Sequence, residues 1–233
     1  MPTERPVIAF FDADETLIAM KSPFSMLRWR LRREGDDGSR YEAVTEPIRR
    51  LARLGLTPAE VLDAFYAVFA GERWSDLLDE GREWFRDLEA EGVPLIESAV
   101  SALRAHQDAG HLTAIVSGAW AASLHPLAEF LGVDAVVCTE PALDAGGRLT
   151  GSIGRPMFGA AKSGAVQELL RRFGADPRDC HGYADDPGDL PMLEQLGRAT
   201  VIGDHPRMLQ LAAQRGWQVR SAATMRDTVR QPV

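Results

Sequence analysis

The sequence predicts a doubly wound α/β fold: a mainly parallel sheet with helices on both faces, interrupted by an all-helical insertion. Short unbroken apolar runs alternate with helix-like segments, and the stretch from Met20 to Glu91 breaks that alternation with helical patterns and no strand-like run.

Val7–Phe11 (VIAFF) opens the fold, since a continuous apolar run suits a strand buried on both faces. Comparable runs follow at Leu112–Val116, Ala135–Cys138, Cys180–Tyr183 and Ala199–Ile202. The segments between and after them, Ile96–Ala109, Ala119–Leu131, Ala161–Phe173, Asp189–Leu196 and Pro206–Arg215, read as helices. Gly110, Gly132, Gly174, Gly197 and Gly216 follow them as candidate left-handed caps. Gly146-Gly147, between the short segments of Thr139–Ile153, predicts a β-hairpin beside the main sheet.

In the insertion, Thr57-Pro58-Ala59-Glu60 is a capping box with proline at the first helical position, followed by an apolar face through Phe69. A second helix carries Leu77, Leu78, Trp84, Phe85 and Leu88, and Glu34–Ser39 reads as a turn. Three of five tryptophans and four of nine phenylalanines lie here, enough for a small core or a pocket lining. The expected division is therefore a core of residues 1–19 and 92–233 with a helical insertion of 20–91.

Composition narrows the function. Net charge is −8 over 233 residues with no basic run, which leaves no electrostatic footprint for nucleic acid or an anionic membrane. A small soluble partner is expected. The N-terminal stretch MPTERPVIAFF is too short and too charged for a signal peptide, so a cytoplasmic location is expected. Cys138 and Cys180 lack the spacing of a disulfide framework or zinc site, and the five histidines are scattered without ligand spacing. Only two of the 26 lysines and arginines are lysines, Lys21 and Lys162; where arginine is the default cation, a lysine marks a need for a compact point charge.

In an open α/β sheet, residues just past the carboxyl ends of strands face the ligand crevice. Here those positions supply Asp12, Asp14 and Thr16, then Ser117 and Gly118, then Asp185, Asp186 and Asp189, with Lys162 at the start of the helix after the hairpin. Neighbouring carboxylates repel one another unless a hard cation joins them, and Mg²⁺ prefers such oxygens. That inventory suits phosphoryl transfer, with a carboxylate nucleophile and a second carboxylate as acid and base.

FFDADET, VSG, the lone Lys162 and GYADDPGDLPML, in that order, resemble the haloacid dehalogenase (HAD) superfamily, and more narrowly its phosphoserine-phosphatase-like branch. The resemblance spans nearly the whole chain. It implies a Rossmann-like core whose helical insertion is a cap that selects the substrate. It implies Asp12 as nucleophile, Asp14 as general acid and base, and Mg²⁺ held by Asp12, the Asp14 carbonyl and Asp185. Thr16, Ser117, Gly118 and Lys162 would bind phosphate, with Asp189 orienting Lys162 and Asp186 behind the metal ligands.

Three positions depart from the family pattern: Glu15, where Gly or Ser is frequent; Asp186, where a small residue is frequent; and Gly188, which replaces a polar residue. In phosphoserine phosphatases a glutamate nine residues after the nucleophile receives the substrate amino group. Lys21 stands there in this chain and would repel an ammonium, favouring a substrate with a further anionic group. The expectation is a Mg²⁺-dependent hydrolase of a small phosphomonoester other than phosphoserine. A phosphomutase or phosphotransferase of the same fold, or a non-catalytic phosphate-binding regulator, are the alternatives. Asp14 argues against a dehalogenase, because a departing halide needs no proton.

Overall fold

A computed structural model describes residues 5–225, so Met1–Glu4 and the last eight residues of the expected core lie outside the described residues. Seven strands form one sheet in the order β4-β3-β2-β1-β5-β6-β7. They are β1 (Ile8–Phe11), β2 (Leu112–Trp120), β3 (Ala135–Leu143), β4 (Leu149–Arg155), β5 (His181–Ala184), β6 (Arg198–Ile202) and β7 (Gln218–Arg220). All pairings are parallel except β3 with β4. β1 lies at the centre and is fully buried, as its apolar run requires.

Four helices fill the span between β1 and the rest of the sheet: α1 (Ser22–Arg33), α2 (Ser39–Arg53), α3 (Pro58–Ala67) and α4 (Trp74–Glu91). The Thr57 capping box is present, with Glu60 N donating to Thr57 Oγ1 at 3.3 Å and Thr57 N donating to Glu60 Oε2 at 2.8 Å. The later helices are α5 (Glu97–Asp108), α6 (Ala121–Leu131), α7 (Ala160–Phe173), the single turn α8 (Leu190–Leu193) and α9 (Pro206–Arg215).

Several elements differ from the sequence reading. The sequence delimits only α3 and α4; α1 and α2 are amphipathic as well and bury Met26, Leu27, Leu31, Tyr41 and Ile48 in the shared core. β2 runs four residues further than its apolar run, because Ser117–Trp120 stays extended through a register shift and buries Trp120. β3 continues into the hairpin as one strand. The segment Asp189–Leu196 is a 3₁₀ turn plus one helical turn, since Pro187 and Pro191 limit the available amide donors. β7 has no apolar run and is held as an edge strand. Gly132, Gly174 and Gly216 are left-handed caps as expected, whereas Gly197 is required for another reason: a Cβ there would meet the Arg178 carbonyl oxygen at 1.8 Å.

The insertion does not keep a core of its own. Phe65, Tyr66, Phe69 and Trp74 surround Trp120 of β2 with ring centroids 4.9–5.6 Å away, and the same buried cluster continues to Leu17, Leu103 and Leu127. Backbone bonds add to this seam: Gly71 N donates to Leu149 O, Leu149 N to Glu72 O, and Trp74 N to Gly147 O, tying the helices to the β4 hairpin.

Candidate active site

β1 ends at Phe11 and delivers Asp12 to the carboxyl edge of the sheet, where the Asp12 amide donates to the Tyr183 carbonyl of β5 at 2.9 Å. Lys162, in the first turn of α7, reaches across buried. Its Nζ lies 2.7 Å from Asp12 Oδ1 and 2.5 Å from Asp189 Oδ1. Burial alone would discharge this ammonium; the charges of Asp12 and Asp189 outweigh it and raise its pKa. Burial in turn raises Asp189, against the pull of Lys162.

Asp14 is held differently. Ser22 N, the first amide of α1, donates to Asp14 Oδ2 at 3.0 Å, while buried Asp14 Oδ1 has no hydrogen-bond partner among the described residues. Burial, more than the nearby Asp12 charge, pushes the Asp14 carboxyl up to about 7. A helix N-terminus favours a carboxylate, but the bonds from Ser22 only partly offset the desolvation. The grip of the free α1 amide on Asp14 carries no signal in the sequence.

Thr16 Oγ1 donates to Asp185 Oδ1 at 2.8 Å, just past β5. Burial, and then the Asp12 charge, raises the Asp185 carboxyl to about 6. Carboxylate oxygens of Asp12, Asp185 and Asp189 lie within 4.8 Å of one another. These three convergent carboxylates form an all-oxygen donor set that fits Mg²⁺. Asp189 thus approaches the cluster as well as Lys162, so it is nearer the candidate metal position than the sequence suggested. The Asp186 side chain is exposed and accepts from Gly188 N at 2.7 Å, capping the turn instead of facing the cluster.

Ser117, past the end of the β2 register with β1, is buried, and its Oγ accepts only a long 3.4 Å bond from Ala119 N. Gly118 makes a close approach: a Cβ there would lie 2.2 Å from the Phe158 ring, which would have to move aside. Sequence reading missed Phe158, which has no motif signal. Glu15 has φ +68°, the one positive φ outside glycine among the described residues, a backbone conformation that glycine adopts without strain. Its Oε2 lies 2.6 Å from Lys21 Nζ, both side chains being half-exposed. Lys21 therefore stands at the mouth of the site already paired. A cleft of about 460 Å³ opens beside it, lined by Glu15, Ala19, Ile96, Asp185, Asp204 and His205.

Fold and site together define a class: a doubly wound α/β protein with paired strand-end carboxylates braced by one buried lysine. The chain belongs to the haloacid dehalogenase-like hydrolase family, whose model matches residues 9–194. It is 34% identical over 127 residues to the inhibition of morphological differentiation protein of Streptomyces azureus, covering 54% of this chain and 46% of that one. It thus spans about half the length of that relative. It is 27% identical over 241 residues to a phosphoserine phosphatase of Mycobacterium tuberculosis, covering 98% of this chain and 75% of the relative. A solved structure of a protein of unknown function from Bordetella pertussis Tohama I superposes with a TM-score of 0.79 at 28% identity, covering 92% of this chain and 98% of that one. No helix among the described residues is long and apolar enough to cross a membrane.

Proposed function

We propose that the chain is a Mg²⁺-dependent phosphomonoester hydrolase that works through an aspartyl-phosphate on Asp12. The observation that carries this reading is the buried Lys162 ammonium bridging Asp12 and Asp189 within a cluster of carboxylate oxygens. The Mycobacterium relative named as a phosphoserine phosphatase supports the reaction type.

Asp12 attacks phosphorus, the ester P–O bond breaks, and the leaving alkoxide takes a proton from Asp14. Asp14 then accepts a proton from water as that water attacks the acyl phosphate, returning Asp12 and releasing phosphate. Lys162 holds one oxygen of Asp12 and meets phosphoryl charge, Asp189 keeps Lys162 in place, and Ser117 and the amides beyond it receive phosphoryl oxygens. Asp12, Asp185 and the Asp14 carbonyl would hold Mg²⁺, whose charge would offset that of the carboxylates and of the phosphoryl group. In this reading residues 20–91 form the cap that shuts the site, consistent with the burial of Asp12, Asp14, Ser117 and Lys162.

The substrate is a small phosphorylated metabolite with a further anionic group, received by Lys21. A second reading, phosphoserine, is favoured by the Glu15–Lys21 pair, which sets a carboxylate at the same mouth. Phosphate release from a panel of phosphorylated metabolites, with Asp12→Asn and Lys21→Glu alongside, separates the readings. Asp12→Asn should abolish release, and Lys21→Glu should abolish the preference for anionic substrates. Wild type preferring phosphoserine would overturn the role given to Lys21, and release surviving Asp12→Asn would overturn the mechanism.

A further inference from the structure

Three of the five histidines, scattered in sequence, meet at the end of the sheet away from the carboxylates. His106 is buried near the end of α5, His111 lies in the loop before β2, and His181 begins β5. His106 Nδ1 lies 2.8 Å from His111 Nδ1, and His106 Nε2 lies 2.9 Å from Tyr183 Oη. The His181 ring meets that of His106 edge-on at 4.5 Å.

The charged neighbours decide what this cluster can do. Arg220 of β7 faces His106, and Arg198 Nη1 of β6 lies 3.3 Å from His181 Nε2. The electrostatic neighbours of His106 are thus His111, His181 and Arg220, with Tyr183 as its hydrogen-bonding phenol; each imidazole can only add positive charge. The guanidiniums of Arg198 and Arg220 oppose a metal cation here, and no carboxylate of the described residues is among the charges that shift His106 or His181. The Nδ1–Nδ1 contact holds a single proton between two rings, so placing a proton on both nitrogens breaks it.

We propose that this imidazole cluster is a proton-sensitive brace, clamping α5 onto β1 and β5 while neutral and releasing them when acidified. Its link to the site is short. The Tyr183 ring stacks on Phe11 at 4.4 Å, its carbonyl receives the Asp12 amide, and Asp185 follows two residues later.

Burial, and then the neighbouring His181 and His111 charges, lower the His106 pKa from 6.5 to about 4. Between those values the unfolded chain binds the extra proton, so the stabilisation is complete above about pH 6.5 and is lost as pH falls towards 4. The raised carboxyls of the active site push stability the other way, but they are common to wild type and variant and cancel in the comparison.

The test is Tm at pH 7.5 and pH 5 for wild type and His106→Gln. Wild type should lose roughly 4–8 °C more than the variant over that interval. Equal losses would overturn the brace. If His106→Gln does not fold, an NMR titration of the imidazoles in wild type decides: a His106 ring neutral at pH 5 supports it, and one titrating near 6.5 sinks it. Neither readout depends on substrate turnover.

Discussion

Lys162 and Lys21 carry the same charge in settings that differ by several kcal/mol. Lys162 is buried between two carboxylates, and removing one partner of such an arrangement costs about 3–5 kcal/mol. The half-exposed Lys21–Glu15 pair is worth under about 1 kcal/mol, so a charged substrate group can displace it. Lys162 is therefore fixed and Lys21 is exchangeable. Asp14 must be protonated in the first half of the proposed reaction and ionised in the second, and burial puts its carboxyl at about 7. Below that pH it starts protonated and assists alkoxide departure; above it the proton is gone and transfer slows. Quenching single turnovers on a labelled phosphomonoester should trap more phosphoenzyme at pH 6 than at pH 8. In Asp14→Asn that pH dependence should disappear, and an unchanged profile would remove Asp14 from the proton transfers.

Between elements, close approach is set by glycine. Helices α4 and α6 pack so tightly that a Cβ on Gly81 would lie 1.8 Å from the Ala122 carbonyl oxygen. Backbone cannot step aside as a flexible side chain can, so Gly81→Ala should force the helices apart. The expected cost is about 1–3 kcal/mol, read as a lower denaturation midpoint with an unchanged m-value. A midpoint equal to wild type would mean that α4 shifts freely on α6. Gly118 differs in kind, because its neighbour is the Phe158 ring, which precedes α7 and Lys162. Ser22 Oγ and Ser123 Oγ, 2.9 Å apart, join the first turns of α1 and α6, so the helix that grips Asp14 is itself anchored to the core.

At the scale of the molecule, one buried cluster runs from the helical insertion to one face of the sheet, and a second fills the other face. An ion held by the Asp12 and Asp185 carboxylates would bind only the folded chain, since their oxygens and that of Asp189 converge only there. Mg²⁺ at about one hundred times its dissociation constant should stabilise the fold by about 2.7 kcal/mol. A Tm that rises with Mg²⁺ in wild type and not in Asp185→Asn is the expected result; equal rises would place the ion elsewhere. The alternating core, the Thr57 cap and the strand-end aspartates were legible in the chain because apolar period, capping chemistry and strand position are local properties. So was the candidate site, since Asp12, Asp14, Ser117, Lys162 and Asp185 each follow an apolar run or open a helix. Tertiary structure alone decided that Lys21 is paired with Glu15, that Asp186 turns outward, and that scattered histidines meet. Each of those depends on segments far apart in sequence, or on a side-chain rotation that only neighbouring atoms select. Burial of Asp12, Asp14, Ser117 and Lys162 is of the same kind: it follows from four amphipathic helices having no core of their own except the one they share with the sheet.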